Sequence, residues 1–525
     1  MPEWLNVSEY HLDRWTASGR GGVTAVVDLG TSRHYSYSEL VELTSRTAKA
    51  FNDISLDPFD RIMIFKRDNV HSVLAFLGAM RAGMVPFFVN PNVSTEELKF
   101  YIRDSLCRLI IVDDSTRAKC MDAVKSDGKH VKQILNTDDK EYVELLTDSR
   151  PSLSPFKTHK DDPAYWVYTS GTTGKPKAAV HLHHDLLVTV RAYTSHVIDY
   201  RDKDLFYSAS KLYFSAGRMF GLHIPLICGV STLIDPVHTT PDRVFENLKR
   251  FDVTHFLGVP TLYSSTLNRL EALGIKELHH PTLRWCVAGG EQLPSPVFRR
   301  WKEVTGLEIL NGIGSSEAEW IFISYTKGRI VPGSSGTLIP GWDAKLVDES
   351  GEEVREVGRV GTLHIRSDSV AAYYWRRCDD SKKTFLGEWY NTKDMLYIDG
   401  SGQYFYVGRS DDLFKVSGMW VSPVEVEDVI LETGMFSEVA VIGAPSEEGL
   451  TKVVAYVVLK DDMCALTNEE LLKALRTKLK GKLPEFKLPS KLVIVSELPK
   501  TPTGKLKRSE LARAHTTITI SRKGG

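Results

Sequence analysis

The sequence predicts an α/β protein: a large N-terminal part of layered α/β subdomains, a small β-barrel-like part, and a C-terminal α+β unit. Three observations predict it. Apolar β-like runs alternate with amphipathic helical segments from Arg61 to Leu310, the rhythm of a largely parallel sheet covered by helices. From about Val331 short β runs separated by turns take over, as in a small antiparallel sheet or barrel. After the charged, hinge-like passage Ser410-Asp411-Asp412 the pattern becomes a compact alternation of helix and strand.

In order, Arg61–Phe65 is a predicted strand, Val70–Ala82 a helix and Met84–Val89 a strand. Ser94 caps a helix over Thr95–Ser105, with Glu97 at its third position, and Leu109–Val112 is the next strand. A helix follows Asp185. Strands are expected at Leu205–Ser208, Ser231–Ile234, Thr254–Leu257, Leu283–Val287 and Leu307–Leu310. Helices are expected at Phe220–Cys228, Pro241–Phe251 and Pro296–Val304. The short β runs are Ala344–Val347, Gly361–Ile365 and Tyr404–Val407. The last unit holds helices Pro423–Leu431 and Asn468–Leu479 and strands Glu438–Ile442, Lys452–Leu459 and Leu492–Val495.

A chain of 525 residues predicts more than one domain. Its net charge of −1 gives no support for a nucleic-acid or polyanionic partner. The six cysteines are scattered without a Cys-x-x-Cys pair, which argues against a zinc site or a disulfide framework and for reduced thiols. No basic-then-apolar leader is visible, the terminal Ser-Arg-Lys-Gly-Gly is no peroxisomal address, and Arg81 and Pro86 interrupt the apolar run Val73–Val89. A cytoplasmic protein without a membrane partner is expected.

Chemistry is concentrated first in Tyr168–Lys177. Thr169, Ser170, Thr172 and Thr173, with Gly171 and Gly174 and with Lys175 and Lys177, crowd between two apolar segments. Glycines let a backbone approach a ligand closely. N–H groups, hydroxyls and lysines then wrap phosphate oxygens. The spacing is not that of a Walker A loop. Two later strands open into glycines: one ends in Ala288-Gly289-Gly290-Glu291, the other in Asn311-Gly312-Ile313-Gly314-Ser315-Ser316-Glu317. Open α/β sheets place ligands at such strand ends. Taken singly, Glu317 reads equally as a surface carboxylate or as a ligand for Mg²⁺, which favours hard oxygen beside phosphates. Asp394 reads as a loop acid that caps a turn or binds ribose. Arg409 reads as a turn brace, and Lys505, in Pro-Thr-Gly-Lys, as an exposed lysine.

Together, in this order and spacing, these stretches resemble the adenylate-forming superfamily of acyl- and aryl-CoA ligases, adenylation domains and firefly-type luciferases. The resemblance runs from about residue 10 to residue 515. It includes Tyr406-x-Gly408-Arg409-x-Asp411-Asp412, Gly418-x-x-Val421-x-Pro423-x-Glu425-Val426-Glu427 and Pro502-Thr503-Gly504-Lys505. It implies that a carboxylate attacks the α-phosphate of ATP to give acyl-AMP and pyrophosphate, and that a thiol then takes the acyl group. It implies that Thr169–Lys177 hold the β- and γ-phosphates, that Glu317 holds Mg²⁺ and that Ser316 touches the α-phosphate. Gly289, Gly290, Glu291, Asn311, Gly312, Ile313 and Gly314 would border the adenine. Asp394 and Arg409 would bind the ribose, and Lys415 would lie near the adenylate. Lys505 would bridge the two anions in the first step. The resemblance also implies a division at residues 409/410. An AMP-binding domain, 1–409, would precede a mobile domain, 410–525, that rotates about Asp411 and brings Gly418 and Trp420 to a CoA tunnel. Lys393 departs from the glycine usual before the ribose aspartate.

Asn311-Gly-Ile-Gly-Ser-Ser-Glu317 and Lys211-Leu-Tyr-Phe214-Ser215-Ala216-Gly217 are similar to the benzoate–CoA ligase versions. That implies an aryl pocket lined by Phe214, Ser215, Ala216, Gly217, Gly314, Trp320 and Ile321, supported by Val259, Pro260, Thr261 and Tyr263. Gly314 would leave room for a flat ring. Trp320, where relatives often carry histidine, leaves one N–H donor and no acceptor, and Ala216 releases volume. An aminobenzoate, hydroxybenzoate or cinnamate-like acid is expected, with ATP, Mg²⁺ and coenzyme A as co-substrates. The alternatives are a free-standing enzyme that loads a phosphopantetheinyl carrier protein, a non-catalytic ligand-binding homologue and, with nothing specific in its favour, a luciferase-like oxygenase. A monomer or homodimer is expected.

Overall fold

Two stretches of strand–helix repetition build two separate parallel sheets. The computed structural model describes residues 1–148, 154–169, 175–410, 412–416, 419–445, 450–460, 467–500 and 506–521. The smaller parallel sheet has the order Val85–Phe88, Arg61–Phe65, Leu109–Val112, Gln133–Asn136. Every residue of its two central strands except Arg61 is buried, as two-sided covering by helices demands. The helix Thr95–Ser105 carries the expected box: the Ser94 side chain accepts from Glu97 N–H, and the Glu97 carboxylate accepts from Ser94 N–H.

The larger sheet has nine strands. Six run parallel, in the order Ile309–Gly314, Trp285–Gly289, His255–Gly258, Leu205–Ser208, Ser231–Ile234, Thr24–Asp28. Antiparallel strands close both edges: Ile321–Ser324 then Thr337–Leu338 at one, Arg33–Ser36 at the other. The strand Ile309–Gly314 extends four residues beyond the expected Leu310, so Asn311–Gly314 are strand rather than loop. The expected helix Phe220–Cys228 begins earlier, at Ser215, and passes through a π-helical turn over Met219–His223.

A hairpin, Pro163–Thr169 with Lys177–Leu182, adds Tyr373–Tyr374 as a third strand. The region after Val331 forms the expected small antiparallel sheet, built on Asp343–Val347, Gly361–Arg366, Trp389–Ile398 and Tyr404–Arg409. One continuous core runs from Val7 to Tyr404. A separate one, from Val416 to Leu492, fills the space between Pro423–Leu431, Asn468–Leu479 and the sheet of Phe436–Pro445, Thr451–Leu459 and Lys491–Ile494. The five described cysteines are free, and all but Cys378 are buried. No helix among the described residues is long and apolar enough to cross a membrane.

Candidate active site

Thr169 and Lys177, near the two ends of the hydroxyl-rich stretch, pair as the last rung of the hairpin. Ser170, Gly171, Thr172, Thr173 and Gly174 lie outside the described residues, as do Asp411, Gly418 and Lys505. Lys175 is exposed. Lys177 Nζ lies 3.1 Å from Asp380 and 5.5 Å from the ring centre of Tyr374.

Tyr374 leads from this hairpin to Glu317. Its hydroxyl donates to Glu317 Oε1 at 2.7 Å, and the Tyr390 hydroxyl donates to Oε2 at 3.2 Å. The carboxylate is therefore buried, 7% exposed, yet satisfied by two neutral donors that leave lone pairs over. Burial and the Glu317 charge push both phenols above the ordinary tyrosine range. The backbone is pinned as well: Ala371 N–H donates to Glu317 O at 2.7 Å. Just before it, the His181 ring donates from Nε2 to Ser316 O at 2.8 Å. Neither tyrosine stands in a recognisable motif, and nothing in the sequence marks His181 or Ala371 as a partner of this turn.

Asp394 is not on a loop. It lies within the strand Trp389–Ile398, opposite Arg409 of Tyr404–Arg409. The Arg409 guanidinium is 3.5 Å from Asp394 Oδ1. Burial lowers the pKa of Arg409; the charges of Asp394, Tyr406, Tyr390 and Glu317 outweigh it and raise the pKa overall, so the Asp394–Arg409 pair and Glu317 share one electrostatic neighbourhood. Lys393 holds φ +62, the left-handed region that favours glycine. The glycine is absent and its conformation is kept. Lys393 N–H donates to Asn391 Oδ1 at 2.9 Å, Asp394 N–H to Thr392 Oγ1 at 3.0 Å, and the pairing with Gly361–Arg366 slips at this point. The strand bulges there.

Asn311, 4% exposed, has its Oδ1 buried with no hydrogen-bond partner among the described residues. Gly289 is half-buried, Gly290 is exposed at φ +90, and Glu291 and Ile313 are half-buried beside the same strand ends. Lys415 is exposed in the strand Phe414–Val416, paired with Trp420, whose side chain lies outside the description.

Ser215 and Ser316 meet, Oγ to Oγ, at 3.3 Å, which joins the two stretches expected to line the acid pocket. Phe214, Ser215 and Ala216 are half-buried; Gly217, Trp320 and Ile321 are buried. The glycines have a backbone reason. A Cβ on Gly314 would lie 2.4 Å from Trp320 O, and one on Gly217 2.1 Å from Lys211 O, so close chain approach by itself requires glycine at both. Tyr263, buried, donates to Val287 O at 3.0 Å behind the sheet. Trp320 stacks edge-on to Tyr193 at 5.4 Å, and its Nε1–H and the Tyr193 hydroxyl are buried without partners among the described residues.

No group of three His, Cys, Asp or Glu among the described residues forms a metal cage. The single buried carboxylate of Glu317, with lone pairs to spare, fits Mg²⁺, which keeps waters and takes one or two carboxylates plus phosphate oxygens.

Known proteins match this chain over most of its length. Residues 13–375 match the AMP-binding enzyme family and residues 425–505 its C-terminal domain. A benzoate–CoA ligase of Thauera aromatica is 35% identical over 98% of this chain and 97% of its own. The solved benzoate CoA ligase of Burkholderia xenovorans LB400 superposes with a TM-score of 0.88 at 34% identity, covering 97% of this chain and 100% of that one. An anthranilate CoA ligase solved with anthranoyl-AMP superposes with a TM-score of 0.91 at 29% identity, covering 98% of each chain. The chain belongs to the AMP-binding enzyme family, the adenylate-forming enzymes among which the benzoate–CoA ligases are counted.

Proposed function

We propose that this protein is an aryl-CoA ligase that activates a substituted benzoate, an aminobenzoate or hydroxybenzoate, as acyl-AMP and transfers it to CoA. One observation carries the nucleotide half: a buried carboxylate, Glu317, left with free lone pairs by two tyrosine donors and set beside the Asp394–Arg409 pair. In this reading Glu317 and the ATP phosphates hold Mg²⁺, which offsets charge on the transferring nucleotide. Asn311 Oδ1 accepts from the adenine amino group. Asp394 accepts from the ribose hydroxyls, with Arg409 holding its carboxylate. Thr169–Lys177 bind the departing pyrophosphate. Lys505 binds between the carboxylate and the α-phosphate, Asp411 is the hinge, and Gly418 and Trp420 face the thiol. The division at 409/410 falls between the two cores.

The acid-selective wall is assigned to Ser215, Ala216, Trp320 and Ile321. An indole N–H buried without an acceptor costs on the order of 1–3 kcal/mol. An acceptor on the ring of the acid would relieve it, which favours a substituted ring over plain benzoate. The relatives named for benzoate and anthranilate support the same class. Incubation with ATP, Mg²⁺, CoA and a mixed pool of aryl and fatty acids, read by mass spectrometry, tests the reading. A hydroxy- or aminobenzoyl thioester is the expected product; a dominant medium- or long-chain acyl-CoA would overturn it. With CoA omitted, a thioester formed only on an added carrier protein would move the second step to the alternative acceptor.

A further inference from the structure

Beneath the Ser315–Trp320 turn lies a cluster of four charged side chains that no step above uses. His181 and Asp185 are fully buried, as is Glu319, and Arg218 is 1% exposed. His181 Nδ1 is 2.9 Å from Asp185 Oδ2, and its Nε2 is 2.8 Å from Ser316 O and 3.4 Å from Glu319 Oε2. Arg218 Nη2 is 3.2 Å from Glu319 Oε1. Every one of the ring's neighbours at these distances is an acceptor that carries no proton of its own in the ionised state. A carbonyl cannot donate, so Nε2 carries a proton toward Ser316 O; burial lowers the ring's pKa, but the Asp185 hydrogen bond and the Glu319 and Asp185 charges outweigh it and raise it overall. The ring lies parallel to Tyr165, 5.2 Å away at 11°, and Asp185 Oδ2 also accepts from Leu182 N–H, so neither partner can swing.

The turn it holds is strained. Glu319 is a non-glycine residue at φ +63, and such outliers persist only where their surroundings over-determine them. We propose that His181 is a positioning residue for adenylation. Its Nε2–H holds the Ser316–Glu317 peptide in place by the Ser316 carbonyl, and Asp185 fixes the ring that does so. Buried charges are costly unless paired, and the cluster binds no ligand itself. What it delivers is the orientation of the two residues that the reading above places on the α-phosphate and the metal. The inference rests on that reading for their roles.

The test compares wild type with His181→Gln, whose amide nitrogen reaches the Nε2 position, with His181→Asn, which reaches only the Nδ1 position, and with His181→Phe, a ring without donors. Calorimetry measures AMP and adenosine binding without metal, and ATP–pyrophosphate exchange measures the first half-reaction. The Asn and Phe variants should lose roughly 10- to 100-fold in exchange kcat and a similar factor in AMP affinity, as second-layer orienting groups do. Adenosine affinity and the KM of the acid should stay near wild type, and Gln should restore most of the AMP affinity. AMP binding undiminished in Asn and Phe, a Gln variant no better than Asn, or three variants that all fail to fold would overturn the proposal. If wild type forms no acyl-AMP from any acid, the functional reading fails instead, while AMP against adenosine still decides the clamp.

Discussion

At Glu317 the hydrogen-bond inventory says how each substitution should read out. Replacing the carboxylate by the neutral amide in Glu317→Gln keeps size and loses the hard anionic oxygens; adenylation should fall on the order of 10²-fold, with the loss in kcat and in apparent Mg²⁺ affinity. Tyr374→Phe removes one of the two donors to the same carboxylate. It should cost roughly tenfold, since it disturbs orientation and leaves charge intact. Pyrophosphate exchange over a Mg²⁺ titration checks both. Equal losses in the two variants would mean that Glu317 acts only through its tyrosines. The sequence marks Glu317 by its Gly-x-Gly setting. It does not mark Tyr374, 57 positions away, because a pairing across two sheets leaves no local pattern.

The strand Trp389–Ile398 shows why some elements stay hidden in the sequence. Burial alternates from Trp389 to Tyr397: Tyr390, Thr392, Asp394 and Leu396 face inward, and their neighbours face partly outward. Two of those inward residues, Thr392 and Asp394, are polar, so the apolar alternation that announces a strand is erased there. By contrast, Arg61–Phe65, Leu109–Val112 and Asn468–Leu479 were legible to the residue, since caps and unbroken apolar runs coincide there. At Lys393 a left-handed residue costs about 1–2 kcal/mol relative to the right-handed region, offset in part by the freedom glycine gives the unfolded chain. Lys393→Gly should therefore raise stability by up to about 1 kcal/mol in urea unfolding, whereas Lys393→Val should lower it by more than that. A destabilised glycine variant would show that the lysine side chain, rather than its backbone, matters.

Across the whole molecule, the units built on the core ending at Tyr404 and on the core beginning at Val416 meet at polar points among the described residues. Gln292 Nε2 donates to Asp428 Oδ2 at 3.1 Å, and Arg299 lies 3.9 Å from Glu432. Burial, with Glu427 and Glu432 nearby, pushes the Asp428 carboxyl up to about 7. Arg508 pairs with Glu427 at 2.6 Å and so offsets only part of that negative charge. An acid whose pKa is raised in one arrangement favours that arrangement when protonated. The docked state should therefore lose stability as pH climbs from the ordinary carboxylate range through about 7, and change little above it. Distance distributions between labels on the two units, followed from pH 5 to 8, should broaden with rising pH. They should do so far less in Asp428→Asn. A distribution that ignores pH in wild type would sink this linkage. The sequence carries the two-part plan through its motif order, but not this contact, which exists only once separate folds touch.

The hairpin from Ile309–Gly314 to Ile321–Ser324 has a consequence for how such an enzyme can change its diet. Its six-residue turn carries Glu317 and Trp320 three positions apart, with a glycine at its entrance that tolerates no added carbon. The proposed metal ligand and the proposed selectivity wall are thus one rigid piece. Mutations that widen the acid pocket at Trp320 will tend to slow turnover for every acid, old or new. New specificities should arise more readily from the opposite wall at Ala216, which lies just before a π-helical turn that offers a residue's worth of slack, whereas its neighbour Ser215 meets Ser316.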